Sequence, residues 1–150
     1  MDAIQFLKQQ HEQAKLMFSR IGQAGAGERG QLWKQLGPEL KAHEQMEDQH
    51  MYAPVAREAV GRDATLAEWE QHHQKEVREA EALIRKIDGA NPSDQGWLAQ
   101  VRELESTLAH HIQEEEGTIW PKIRQVWDAG RLEQAGREME AMQGKAGRAA

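Results

Sequence analysis

Apolar residues return along this chain at helical spacing, and histidine and glutamate interrupt the stripes at recurring places. Ile4, Leu7, His11, Ala14, Phe18 and Ile21 repeat with a period close to 3.6 and predict a first helix over residues 2–22, with Asp2 as its N-cap. A glycine-rich break is expected at 23–30. Leu32, Leu36, Leu40, His43, Glu47, His50 and Met51 then predict a second helix over 31–60. The Gly37-Pro38 step suggests that this helix starts afresh at Pro38, with 31–36 a separate turn, and Pro54 is expected to kink its far end. After a break at 61–63, Thr65-Leu-Ala-Glu68 reads as a capping box. The helix that follows runs to Asp88 and buries Leu66, Trp69, His73, Val77, Ala80, Leu83, Ile84 and Ile87. A loop at 89–96 leads to a fourth helix, from Ser93 or Gln95 to Trp127 or Asp128, which Pro121 disturbs. Residues 131–142 form a short fifth helix with Leu132, Ala135, Met139 and Met142 on its apolar face. The prediction is an all-α fold: an up-down-up-down antiparallel four-helix bundle with a short C-terminal fifth helix. One domain is expected over 1–143, with a flexible tail over 144–150.

The stripes repeat. At an offset of 62 residues, Ile4, Leu7, His11, Phe18 and Ile21 fall on Leu66, Trp69, His73, Ala80 and Leu83. At an offset of 68, Leu36, Leu40, His43, Glu47, Met51 and Val55 fall on Leu104, Leu108, His111, Glu115, Ile119 and Ile123. Helices one and three thus each carry a lone inward His, while helices two and four carry an inward His-x-x-x-Glu. A spacing of four stacks two side chains on one helical face. Counted along helices that rise about 1.5 Å per residue, these positions share one half of the bundle. The offset selects His73 over its neighbour His72, which lies on the flank and stays a lesser candidate, and His111 over His110.

Composition narrows the class. The chain has 150 residues, enough for one core, and no cysteine, so neither disulfides nor thiolate chemistry are available. The first residues show no cationic leader, and no stretch approaches the roughly 20 apolar residues of a membrane span. A cytoplasmic location is expected. A net charge of −6 with scattered basic residues argues against nucleic acid as a partner.

A buried polar side chain is costly unless it is paired. Four His and two Glu at one level of a small core point to a metal site built from His11, His43, Glu47, His73, His111 and Glu115. Imidazole and carboxylate without sulfur suit iron, manganese or zinc. Six ligands exceed the closed tetrahedral shell of one zinc. Two carboxylates from different helices can bridge two metals, with the imidazoles as terminal ligands and positions left open for an exogenous molecule. On paired iron in an apolar pocket, open positions imply dioxygen, peroxide or nitric oxide chemistry.

The chain resembles the hemerythrin-like, HHE cation-binding family over nearly its whole length. The resemblance rests on Leu7-Lys-Gln-Gln-His11, His43-Glu-Gln-Met-Glu47 with Tyr52, Glu70-Gln-His-His73, His111-Ile-Gln-Glu-Glu115 with Ile119-Trp-Pro121, and Leu132-Glu-Gln-Ala-Gly-Arg-Glu-Met-Glu140. It implies two iron ions joined by an oxo or hydroxo bridge, with His11, His43, His73 and His111 terminal and Glu47 and Glu115 bridging. It also implies a small diatomic ligand or peroxide as partner. The oxygen carriers of that family have two His one turn apart on the third helix, whereas here Lys75, Glu76 and Val77 follow the histidines. They also use His-x-x-x-x-Asp on the fourth helix, and this chain has a shorter spacing to Glu115. One fewer imidazole favours turnover or sensing over reversible storage.

Other side chains read as follows. His50 is a polar residue near the bundle end, or a second donor to the site. Tyr52 packs near the kink, with hydrogen bonding to the site as the alternative. Trp69, Trp120, Met46 and Met51 fill the core, and Glu76 is a lesser candidate ligand. Of Glu114, Glu115 and Glu116, only Glu115 is expected to face inward. The function expected is a di-iron protein that binds or senses O2, NO or peroxide, rather than a dedicated enzyme. One alternative is a ferritin-like di-iron oxidase or peroxidase-type enzyme using Glu47-Asp-Gln-His50 and Glu70-Gln-His-His73. The other is a metal-free structural or interaction bundle.

Overall fold

The computed structural model describes the backbone of residues 1–149 and the side chains of residues 1–145. Every regular element among the described residues is helical. Helix α1 is Ala3–Gln23, opened by a capping box in which Asp2 accepts from the Gln5 amide at 2.8 Å and the Gln5 side chain accepts from the Asp2 amide. Helix α2 is Ala26–Glu47. One wide π turn, Asp48–Tyr52, joins it to α3, Ala53–Glu58. Helix α4 is Ala64–Asp88. Helix α5 is Gln95–Glu114, and a second π turn, Glu115–Ile119, joins it to α6, Trp120–Val126. Helix α7 is Ala129–Ala149.

Several boundaries differ from expectation. Helix α2 runs unbroken through Pro38 and starts at Ala26, so the break is only Ala24-Gly25. A proline ring crowds the Cβ of the residue before it. Gly37 has none, and the space is taken by the Trp33 ring, whose nearest atom would lie 3.3 Å from a Cβ built there. Trp33 is therefore buried where Leu32 was expected, and its indole donates to Asp88 at 2.8 Å. The cap of α4 is Asp63, which accepts from the Leu66 amide, rather than Thr65. The fifth helix is longer than 131–142. Its backbone stays helical through Ala149, and the remainder of the expected 144–150 tail lies outside the described residues.

The core is split into two apolar clusters. One contains Leu7, Met46, Met51, Trp69, Ile119, Trp120 and Ile123, and α7 closes it with Leu132, Ala135 and Met139. The other contains Phe18, Ile21, Leu36, Leu40, Ile84, Trp97, Leu104 and Leu108. Helices α1 and α4 run from the first cluster to the second, and α2 and α5 run back. That is the up-down-up-down order. On each of the four, the polar residues lie between the two clusters: His11 after Leu7, His43 after Leu40, His73 after Trp69, His111 after Leu108. Helix α7 packs on α1 at Gly136, where a Cβ would lie 2.9 Å from the Asp2 carbonyl carbon.

Candidate metal centre

Between the two clusters sit His11, His43, Glu47, His73, His111 and Glu115, all buried, with Glu47, His73 and Glu115 fully inaccessible. His72 and His110 are exposed, as the offset test selected. The six do not form a single ring. The side-chain ligand atoms of His11, His43, Glu47 and Glu115 lie within 4.8 Å of one another, and so do those of Glu44, Glu47, His73 and His111. The groups share Glu47, whose two oxygens face opposite ways. Its Oε1 lies 2.5 Å from His43 Nε2 and 3.7 Å from His11 Nε2. Its Oε2 lies 3.0 Å from His73 Nε2 and 3.9 Å from His111 Nε2. Glu115 spans the groups differently, with one oxygen, Oε1, 3.4 Å from His11 Nε2 and 3.2 Å from His111 Nε2.

Outer acceptors orient three of the rings through Nδ1. Glu116 lies 3.0 Å from His11 Nδ1, Gln10 lies 2.7 Å from His43 Nδ1, and Glu76 accepts from His111 Nδ1. With Nδ1 occupied as donor, each Nε2 turns its lone pair inward when neutral. Glu44 is different, because its carboxylate meets His73 at Nε2, 2.9 Å away, on the inner side. The Tyr52 hydroxyl donates to Glu115 Oε2 and accepts from Trp120 Nε1 at 2.9 Å. Trp120 stacks on His11 at 5.0 Å and Trp69 on His111 at 6.0 Å.

The π turns begin where the two His-x-x-x-Glu motifs end. The Ala53 amide donates five residues back to Asp48 and the Trp120 amide to Glu115. Pro54 and Pro121 come next, each without an amide hydrogen and each clashing with a regular i−4 carbonyl. A widened turn just before the proline relieves that clash while the chain stays helical.

Charge confirms that the cluster is unusual for a core. Burial opposes a charged His11, but hydrogen bonds to Glu115 and Glu47 outweigh it and push its pKa up to about 10. Burial likewise opposes a charged His73, and Glu44 and Glu47 overcome it, again to about 10. For His111, burial is outweighed by the Glu115 charge and by hydrogen bonds to Glu47 and Glu76, to about 12. Burial raises Glu47, but the His43 charge and the His11 and His111 bonds hold it well below the usual carboxylate range. Burial and the neighbouring Glu47 charge push Glu115 up to about 7. Burial, and the Glu115 and Glu47 charges, push Tyr52 well above its usual value, so it remains a donor.

The residues present fit a pair of cations. Glu47 Oε1, Glu115 Oε1 and His111 Nε2 are buried and make no well-aligned hydrogen bond among the described residues, although each lies close to another member of the layer. His11 Nε2 and His43 Nε2 face each other at 3.2 Å. Orphaned buried acceptors are rare, and their convergence on shared points is what a cation would satisfy.

Several of these readings are corrected or narrowed. Glu116 is not merely part of a solvated run, since it holds His11. Tyr52 is a hydrogen-bond donor to the cluster as well as a packing residue. His50 turns away to Glu138 on α7, 3.1 Å distant, and Glu70 pairs with Gln74, so the two Glu-x-x-His pairs of the ferritin-like alternative do not assemble. Glu76 meets His111 at its outer nitrogen rather than on the inner side. Glu44 was missed as a candidate ligand.

A helical bundle with a buried His/Glu layer that could hold a metal ion defines the class of this protein. Residues 2–123 match the hemerythrin HHE cation-binding domain, and the chain belongs to that family. Its fold is similar to that of an HHE cation-binding domain-containing protein from Mycobacterium kansasii, at TM-score 0.78 and 24% identity, over 99% of this chain and 90% of that one. It is also similar to a protein described as a DNA nickase from Nostoc, at 25% identity over 144 residues. That match covers 93% of this chain but only 38% of the relative's length. No helix among the described residues is long and apolar enough to cross a membrane.

Proposed function

We propose that this protein holds a carboxylate-bridged pair of iron ions and uses it to bind or sense dioxygen, nitric oxide or peroxide. The observation that carries the reading is Glu47, with one oxygen toward His11 and His43 and the other toward His73 and His111. In this reading His11 and His43 serve one position, Glu44, His73 and His111 serve the other, and Glu47 and Glu115 bridge. Iron bound there supplies ligand-binding and redox chemistry toward small oxygen and nitrogen species. The chain's own residues do the rest. Glu116, Gln10 and Glu76 set ring orientation, Tyr52 holds a proton against Glu115, and Trp69 and Trp120 exclude water from two of the rings. The DNA-nicking description of the Nostoc relative is not carried over, because the net charge of −6 offers little for phosphates to meet.

The test is metal analysis of protein purified from cells, followed by optical spectra of the reduced protein exposed to O2, NO or peroxide. Two irons per chain with an oxo-bridge charge-transfer band are expected. A single zinc, or no metal, would sink the reading.

A further inference from the structure

The polar layer is not sealed. A cavity of about 750 Å³ lies against α1, α2 and α5, and His11, His43, Glu44 and His111 form part of its wall. Most of the remaining inner wall is apolar, built by Ala14, Phe18, Leu36, Leu40, Leu108 and Ile112. A water-sized ligand needs about 30 Å³ of liquid volume, so a diatomic molecule would leave nearly all of this space unused. Organic ligands occupy sites of about 300–1,000 Å³, apolar with a few polar groups at one place. The cavity has that size and that distribution. Along α2 its wall runs from Lys34 to Met46, about 18 Å at the helical rise.

The space has a local cause. Ala14 on α1, Ala42 on α2 and Ala109 on α5 all line it, and their small side chains leave it wide. The opening is a cleft continuous with solvent, with exposed Gln13, Lys15, Lys34 and Glu105 on its outer side and buried Phe18, Leu36, Leu40 and Leu108 within. The exposed charges at its rim balance, with Lys15 and Lys34 against Glu39 and Glu105, and the deeper Glu44 is paired with His73. An ionic ligand gains no net attraction from such a rim.

We infer that this cavity binds an uncharged, elongated, mostly apolar organic molecule and brings one end of it to the His11, His43 and Glu44 edge. The molecule is held by the apolar walls of α1, α2 and α5, and Gln10, which lines the cavity beside His43, supplies the polar contact. This deepens the proposed function, because it makes the centre one that meets an organic molecule as well as a small gas. It rests on that reading for the role of the imidazole edge but not for the binding itself.

The probe is N-phenyl-1-naphthylamine, a neutral aromatic molecule that brightens in apolar surroundings. It is titrated into the purified protein, with metal counted on the same samples. Saturable one-to-one binding is expected. Ala14→Phe and Ala109→Phe should each weaken it by about tenfold or more, roughly one ring's worth of lost space, while helical content and metal per chain stay unchanged. No saturable binding to the wild-type protein would overturn the inference, and so would equal binding by both variants. If Ala14→Phe fails to fold, the exposed Ala109 position decides alone. Intact probe binding in protein that carries no metal would support the cavity and reject the iron centre. Metal without probe binding would do the reverse.

Discussion

If the proposed metal centre is occupied, stripping the metal should reverse the sign of this protein's pH dependence. In the metal-free chain His11 and His73 keep their protons to about pH 10 and His111 to about pH 12, against 6.5 for an ordinary imidazole. The unfolded chain sheds those protons near pH 6.5 and the folded chain does not. The stability they contribute is complete below pH 6.5 and is lost as pH rises toward 10–12. Glu115, raised to about 7, acts in the same direction, since its contribution is present below 4.5 and fades as pH climbs through 7. Each proton held only by the folded state contributes a slope of about 1.4 kcal/mol per pH unit. The three rings share Glu47 and Glu115, so one to three protons are at stake, or about 1.4 to 4 kcal/mol between pH 7 and pH 8. That is large against the roughly 5–15 kcal/mol that holds a domain folded. The metal-loaded protein should move the other way, because ligands must shed protons to bind and affinity then adds to stability. The assay is urea unfolding followed by tryptophan fluorescence, at pH 7 and pH 8, on chelator-treated and reloaded protein. If the metal-free form were equally or more stable at pH 8, the buried rings would be neutral and the carboxylate contacts could not be holding them charged.

Four further outcomes follow from particular contacts. Tyr52→Phe keeps the ring but leaves Trp120 Nε1 without its acceptor and takes a donor from Glu115; thermal melts should show a loss of about 2–5 kcal/mol, or roughly 5–15 °C. On the proposed two-ion reading, Glu44→Gln should lower metal content from about two ions per chain toward one by elemental analysis, because Glu44 belongs to the His73 and His111 group and not to the His11 and His43 group. Gly136→Leu should cost about 3 kcal/mol or more in denaturant unfolding, since the side chain meets the backbone of Asp2 and Ala3 rather than a movable neighbour. His50→Ala should leave metal content unchanged and cost under about 1 kcal/mol, as expected for a half-exposed pair with Glu138.

The layer of six residues was legible because it repeats. A polar residue on an apolar stripe is ambiguous once, but His43/Glu47 and His111/Glu115 at one offset, with His11 and His73 at another, leave a pattern that packing alone does not explain. The same test was blind to Glu44, whose counterpart at an offset of 68 is Ile112, an apolar residue. It joins the layer from only one helix, so no repeat announces it. Tyr52 and Trp120 are also related by that offset, yet nothing in their spacing says that the two polar tips meet. Helix α2 continues through Pro38 because Gly37 removes the steric conflict, a pairwise effect that a rule about proline alone misses. The π turns depended on where Pro54 and Pro121 fall relative to the glutamates. A periodicity count registers such a turn only as a slip of one residue.

The division of the core into two apolar clusters bears on how the bundle comes apart. The five tryptophans fall on both sides of the polar layer, Trp33 and Trp97 in one cluster and Trp69, Trp120 and Trp127 in the other. Four helices cross the layer, but among the described residues the buried apolar side chains fall into separate clusters on its two sides, so the ionic contacts within the layer are the main side-chain tie between the ends. With that tie in place, amide hydrogen exchange should slow together at both ends, as one cooperative unit. When it is loosened, each end is left to exchange at its own rate, and the layer becomes the plane along which the molecule first opens.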